Sequence, residues 1–133
     1  MRPVGILAAL AIMVSPVSAA QQPAAAIVTF DADSDELSAA AKASLTAFAS
    51  AYDRARAPNV TVDAHATIAE SPEGSAGYAR GLSQRRGNEV RSFLWEKGVP
   101  IGSITVAAYA ADRPLPGRAP GHAANRRVEV RVE

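Results

Sequence analysis

Two long stretches with apolar residues at helical spacing are interleaved with short runs in which every second residue is apolar, and this order most restricts the folds open to the chain. The first helical stripe is Leu37, Ala41, Leu45, Phe48 and Tyr52, with Ser34 or Ser38 placed to cap it. The second runs from Ser75 to Lys97, carries Tyr78, Leu82, Val90, Phe93 and Leu94 on one side, and is stopped by Gly98 and Pro100. Gly87 lies inside it at a cost of about 1 kcal/mol relative to alanine, and the helix is expected to continue through it.

The strand candidates are Ala26 to Phe30, Val60 to His65, Ile104 to Tyr109 and Arg127 to Val132. The cluster Asp31-Ala32-Asp33-Ser34-Asp35 ends the first with turn chemistry. A loop covers Ala66 to about Gly74, and a second one, rich in proline and glycine, precedes the last strand. The order β-α-β-α-β-β predicts an α/β (α+β) two-layer sandwich, one sheet covered on one face by two helices. Strands joined through a helix are expected to run parallel with right-handed crossovers, and the last strand to pair antiparallel.

Met1-Arg2-Pro3, the apolar stretch Val4 to Val14 and Val17-Ser18-Ala19-Ala20 follow the basic, apolar and small-residue order of a secretory signal. Residues 1–20 are therefore expected to be a cleaved signal peptide, 21–25 a flexible lead and 26–133 one domain. The apolar stretch, ~11 residues, falls short of the ~20 that span a bilayer, so no membrane span is expected after cleavage. The chain has no cysteine, which excludes a disulfide, a thiolate ligand, a cysteine nucleophile and a lipid-accepting cysteine. Beyond Arg2, thirteen basic and thirteen acidic side chains balance, arguing against nonspecific nucleic-acid binding. Their placement is uneven: acids dominate from Asp31 to Glu73, and nine lysines and arginines follow Gly81.

His65 and His122 are the only histidines and have no cysteine to join them, so no metal site is expected. Ser83, His65 and Asp63 do not make a triad, because adjacent strand residues point to opposite faces and no nucleophile elbow is present. The Asp31–Asp35 run lacks the central glycine and the twelfth-position glutamate of a calcium loop. The chain is expected not to be an enzyme, and no cofactor is implied. Trp95, next to Phe93 and Leu94, cannot face the core together with both and is expected to form a partly exposed contact surface.

Several segments carry a resemblance: Phe30, Ala64-His65-Ala66-Thr67, Leu82-Ser83-Gln84-Arg85-Arg86, Gly98-Val99-Pro100, Ala108-Tyr109-Ala110 and Asn125-Arg126-Arg127-Val128-Glu129. In this order they resemble the signature pieces of the OmpA/MotB C-terminal, peptidoglycan-binding domain family, from Val28 to Val132. The resemblance implies a noncatalytic domain that holds the diaminopimelate residue of the peptidoglycan stem peptide, an aspartate meeting the amine and a helix arginine a carboxylate. A zwitterionic head needs such an acceptor and such a planar donor at a fixed separation.

The family arginine falls on Arg86, within the apolar stripe, where it either meets a ligand or pairs with Asp63 or Glu89. The family aspartate is absent: aligned from the strand its place is Thr67, and aligned back from the helix it is Ser71. Loss of a charge-assisted bond to an ammonium removes about 1.5–3 kcal/mol, and Glu70 or Glu73 would have to supply the missing charge. Alanines at 64, 108 and 110 stand where the family has glycines, and His122 where it has a further arginine. The expected ligand-binding set is Arg86, Arg126, Thr67, Glu70, Glu73, His65 and Asn125. The implied function is a periplasmic domain of the Gram-negative cell envelope, with outer-membrane association, that binds peptidoglycan in a weakened or modified way. The alternative is an interaction module that has lost this binding and docks on another envelope protein.

Overall fold

The computed structural model describes residues 25–133, so the expected signal segment lies outside the described residues. Ala25, expected in the flexible lead, instead opens the first strand. The strands are β1 (Ala25–Thr29), β2 (Val60–Ala64), β3 (Ile104–Ala108) and β4 (Arg127–Val132), and the helices are α1 (Ala39–Ala51) and α2 (Ala76–Glu96). Single 3₁₀ turns form at Ile68–Glu70, Ile101–Ser103 and Ala123–Asn125. Of the two cap candidates for α1 it is Ser38 that accepts the Ala41 N–H, at 3.1 Å, and Ser75 does the same for Tyr78 at the start of α2, at 3.2 Å.

The four strands form one sheet in the order β1-β4-β2-β3. β2 and β3 are parallel, as expected of strands joined through α2, and β4 is antiparallel to both its neighbours. β1 and β2 point the same way without being neighbours, because the last strand inserts between them. Its alternation suits a central position: Val128 and Val130 are buried in the core, while Arg131 reaches Asp63 at 2.6 Å and Arg127 reaches Glu129 at 2.6 Å on the opposite face.

Between sheet and helices lie Leu45, Val60, Val62, Val90, Leu94 and Val128, all without solvent exposure. Each such side chain contributes about 1.5–3 kcal/mol by leaving water. Gly87 is explained by this contact. A β-carbon there would stand 2.5 Å from Val106 Cγ1 and 3.2 Å from Ala64 Cβ, so its absence lets α2 rest on β2 and β3. At the other end of the helices Arg54 donates to Ala49 O (3.0 Å) and Lys97 O (2.7 Å), satisfying terminal carbonyls of both with one guanidinium.

Candidate functional site

The turn after β1, the turn after β2, the start of β4 and the middle of α2 meet at one end of the sheet. Phe30 N–H bonds Arg126 O and His65 N–H bonds Arg127 O, both at 2.9 Å, which carries the β-ladder past the assigned strand ends and fixes the three strands there. Arg86 enters this junction from the buried stripe of α2 and has no solvent exposure. Its Nε donates to Ser34 O (2.8 Å), Nη1 to His65 O (3.1 Å) and Glu70 Oε1 (3.1 Å), and Nη2 to Asp31 O (3.1 Å) and Glu70 Oε2. A guanidinium has five N–H groups, and all five are used. Its plane also lies over the buried Phe30 ring, 5.0 Å from the centroid.

Glu70 is held as fully as its partner. Besides Arg86 its carboxylate accepts the Thr67 N–H at 2.8 Å, the Thr67 hydroxyl at 3.2 Å and the Asp33 N–H at 2.8 Å. Burial by itself would raise its pKa, but the bonds from Arg86, Asp33 and Thr67 outweigh burial and hold it below the usual glutamate value. The missing signal in the sequence was Thr67-Ile68-Ala69-Glu70, a Thr-x-x-Glu capping box that fastens Glu70 to its own turn.

Two expectations are thereby corrected. Arg86 pairs with neither Asp63 nor Glu89, since Asp63 is taken by Arg131. Nor does Arg86 present a donor to a ligand in this arrangement, because Glu70 and three carbonyl groups consume every N–H. Glu70 is likewise not a carboxylate waiting in a loop, for its donors come from three separate segments.

The other expected residues divide. Thr67 is buried at the same junction as Arg86 and Glu70, whereas Glu73 is exposed beside a separate cleft of about 470 Å³ that Ser71, Pro72, Ser75 and Tyr78 also line. His65 joins the junction only by its carbonyl. Its ring is buried, stacks on Tyr109 at 5.4 Å and has among the described residues no hydrogen-bond partner at either nitrogen; desolvation, with Arg127 adding to it, lowers its pKa to about 4. Asn125 is buried and spent on the loop before β4, accepting from Leu115 N and donating to Ala119 O and Pro120 O. His122 is exposed and caps the turn at Ala123–Asn125 through Nδ1.

Arg126 is placed differently. Its Nε donates to Phe30 O at 2.9 Å, and among the described residues neither Nη has an acceptor. It lines a cleft of about 260 Å³ together with Thr29, Phe30, Asp31, Glu36 and Ser38. The Asp31 and Glu36 carboxylates also have no donor among the described residues, and neither lies within 4.0 Å of a cationic nitrogen. Asp31 and Glu36 were not in the expected ligand-binding set, the acid-rich run after β1 having been weighed only as a calcium loop and read as turn chemistry.

Serine chemistry finds no support here: Ser83 Oγ is buried, donates to Arg80 O and accepts from Ala110 N. Among the described residues no group of three or more His, Asp or Glu side chains is arranged to hold a metal ion, and no helix is long and apolar enough to cross a membrane.

Fold and site together define an α/β sandwich domain of one four-stranded sheet and two helices. A model of the OmpA family matches residues 29–127, and the chain belongs to that family. It is 32% identical over 108 residues to an outer membrane protein of Gluconacetobacter diazotrophicus, an alignment covering 78% of this chain and 29% of that protein. It is 31% identical over 88 residues to the peptidoglycan-associated lipoprotein of Brucella melitensis, covering 66% of this chain and 50% of that one. The chain thus spans at most half the length of these relatives. The OmpA-like domain of FopA1 from Francisella tularensis superposes with a TM-score of 0.75 at 22% identity, over 81% of this chain and 70% of that one.

Proposed function

We propose that this domain is a periplasmic, noncatalytic module of the cell envelope that associates weakly with peptidoglycan through the cleft beside Arg126 rather than through Arg86. The observation that carries the reading is the cleft itself, in which one guanidinium with open Nη groups and two unpaired carboxylates share about 260 Å³. A stem peptide offers ammonium and carboxylate groups together, and such a cleft meets both signs. The similarity to a peptidoglycan-associated lipoprotein supports the same ligand class. Weak binding follows from the commitment of Arg86 to Glu70 and from a threonine or serine in place of the family aspartate.

Co-sedimentation with purified sacculi tests this. The wild type is retained, retention falls with added salt, and Arg126→Ala weakens it about tenfold, the loss expected for charge-assisted bonds at a partly exposed site. Equal retention of both proteins removes Arg126 from the reading, and no retention of either defeats peptidoglycan binding. The protein-docking alternative then gains, and Trp95 (57% exposed) and Ile101 (47% exposed), near the carboxyl end of α2, are the surface to probe.

A further inference from the structure

The Glu70 carboxylate sits in a complete receptor: two guanidinium N–H groups from α2, one backbone N–H from the turn after β1, and a backbone N–H and hydroxyl from Thr67. Three separate segments converge on one carboxylate, and Asp33 and Arg86 come from the turn after β1 and from α2, outside the segment carrying Glu70.

Apart from Ser75, which caps α2, that segment, residues 67–75, is among the described residues otherwise bonded only to itself. Glu70 N bonds Thr67 O, Ser71 N bonds Ile68 O, Gly74 N bonds Ser71 O, and Ser71 Oγ accepts from Glu73 N and Ser75 N. Up to the start of α2, every hydrogen bond that ties it to a distant part of the described chain passes through the Glu70 carboxylate. Gly74, at φ +67°, ends it just before the Ser75 cap. One side chain therefore fastens the whole segment to the body of the domain.

We propose that Glu70 is a tethered internal occupant of a carboxylate receptor, that it latches segment 67–75 over Arg86, and that removing its side chain opens a seat for a small external carboxylate. The donor set, bidentate guanidinium plus backbone N–H, is the chemistry that selects a planar carboxylate. While Glu70 is in place, an external carboxylate must displace a partner whose effective concentration is set by a three-residue turn. The receptor adjoins the Arg126 cleft through Asp31 but does not require it.

The test is thermal unfolding of wild type, Glu70→Ala and Glu70→Gln at pH 7 in sodium acetate or formate against sodium chloride of equal ionic strength. Glu70→Ala melts below the wild type in chloride and recovers several degrees, saturably, in acetate or formate; the wild type and Glu70→Gln show no carboxylate-specific rise. If Glu70→Ala responds to acetate no more than to chloride, the receptor is disproved. Should it fail to fold in chloride, refolding in acetate alone supports the proposal, and failure in both salts overturns it. Amide exchange of Glu70→Gln checks the latch, since the amide sets an N–H₂ against the Asp33 and Arg86 donors: residues 67–75 exchange about tenfold faster or more while β2 and β4 keep their protection. Unchanged exchange there refutes the latch. Because the probe is acetate and the variants are at Glu70, these results stand apart from sacculus binding by Arg126.

Discussion

Arg86→Ala measures whether this arginine is a structural tie or a hand held out to a ligand. The substitution removes five donors at a point with no solvent exposure and leaves the Glu70 carboxylate and the carbonyls of Asp31, Ser34 and His65 without their shared partner. Removing one member of a buried ion pair costs about 3–5 kcal/mol. Loss of the stacking on Phe30 adds about 1 kcal/mol, and uptake of a proton by the stranded glutamate limits the total. A net loss of about 4 kcal/mol is a large part of the roughly 5–15 kcal/mol that holds a domain together. With a urea slope of about 2 kcal/mol per molar, the midpoint moves down by about 2 M. Urea unfolding followed by far-UV circular dichroism at pH 7 reads this directly. The double variant Arg86→Met/Glu70→Gln loses less than the sum of the two single variants, by about 2 kcal/mol, because neither charge is left buried alone. A loss below about 1 kcal/mol for Arg86→Ala, the value of a solvent-facing charge, or strict additivity in the double variant, would refute the reasoning.

Two further tests address the core and pH. His65 titrates near 4 in the folded domain against an ordinary 6.5, so below pH 6.5 the unfolded chain binds a proton that the folded one refuses, and stability falls as pH drops. The loss approaches about 3 kcal/mol by pH 4, and His65→Phe flattens the stability curve between pH 6.5 and 5, above the range in which Glu70 protonates; an unchanged slope there contradicts the assignment. Gly87→Ala improves helix propensity by about 1 kcal/mol yet destabilises the domain by about 1–3 kcal/mol net, because its methyl meets Val106 Cγ1 at 2.5 Å; a raised melting temperature would show that the α2 contact yields easily.

Much of the fold was legible because its signals are local. The stripe through Leu37, Leu45 and Phe48 and the alternation of Val128 and Val130 report which face each element buries, and they located α1 and β4 to within a residue or two. The insertion of β4 between β1 and β2 was not legible, because pairing two strands about seventy residues apart leaves no mark on the period of either. The site divides in the same way. Arg126 was found through its motif, but its open Nη groups and its carboxylate neighbours Asp31 and Glu36 depend on how the turn after β1 lies against β4.

By itself the sequence determined the alternation of strands and helices, the two-layer architecture and the family, since each follows from the chemistry of residues near one another along the chain. Only the tertiary structure decided what Arg86 does. A lengthened turn can place Glu70 anywhere within its reach, and it is the convergence of that turn with the end of β1 and the middle of α2 that closes a buried guanidinium onto its own chain's carboxylate.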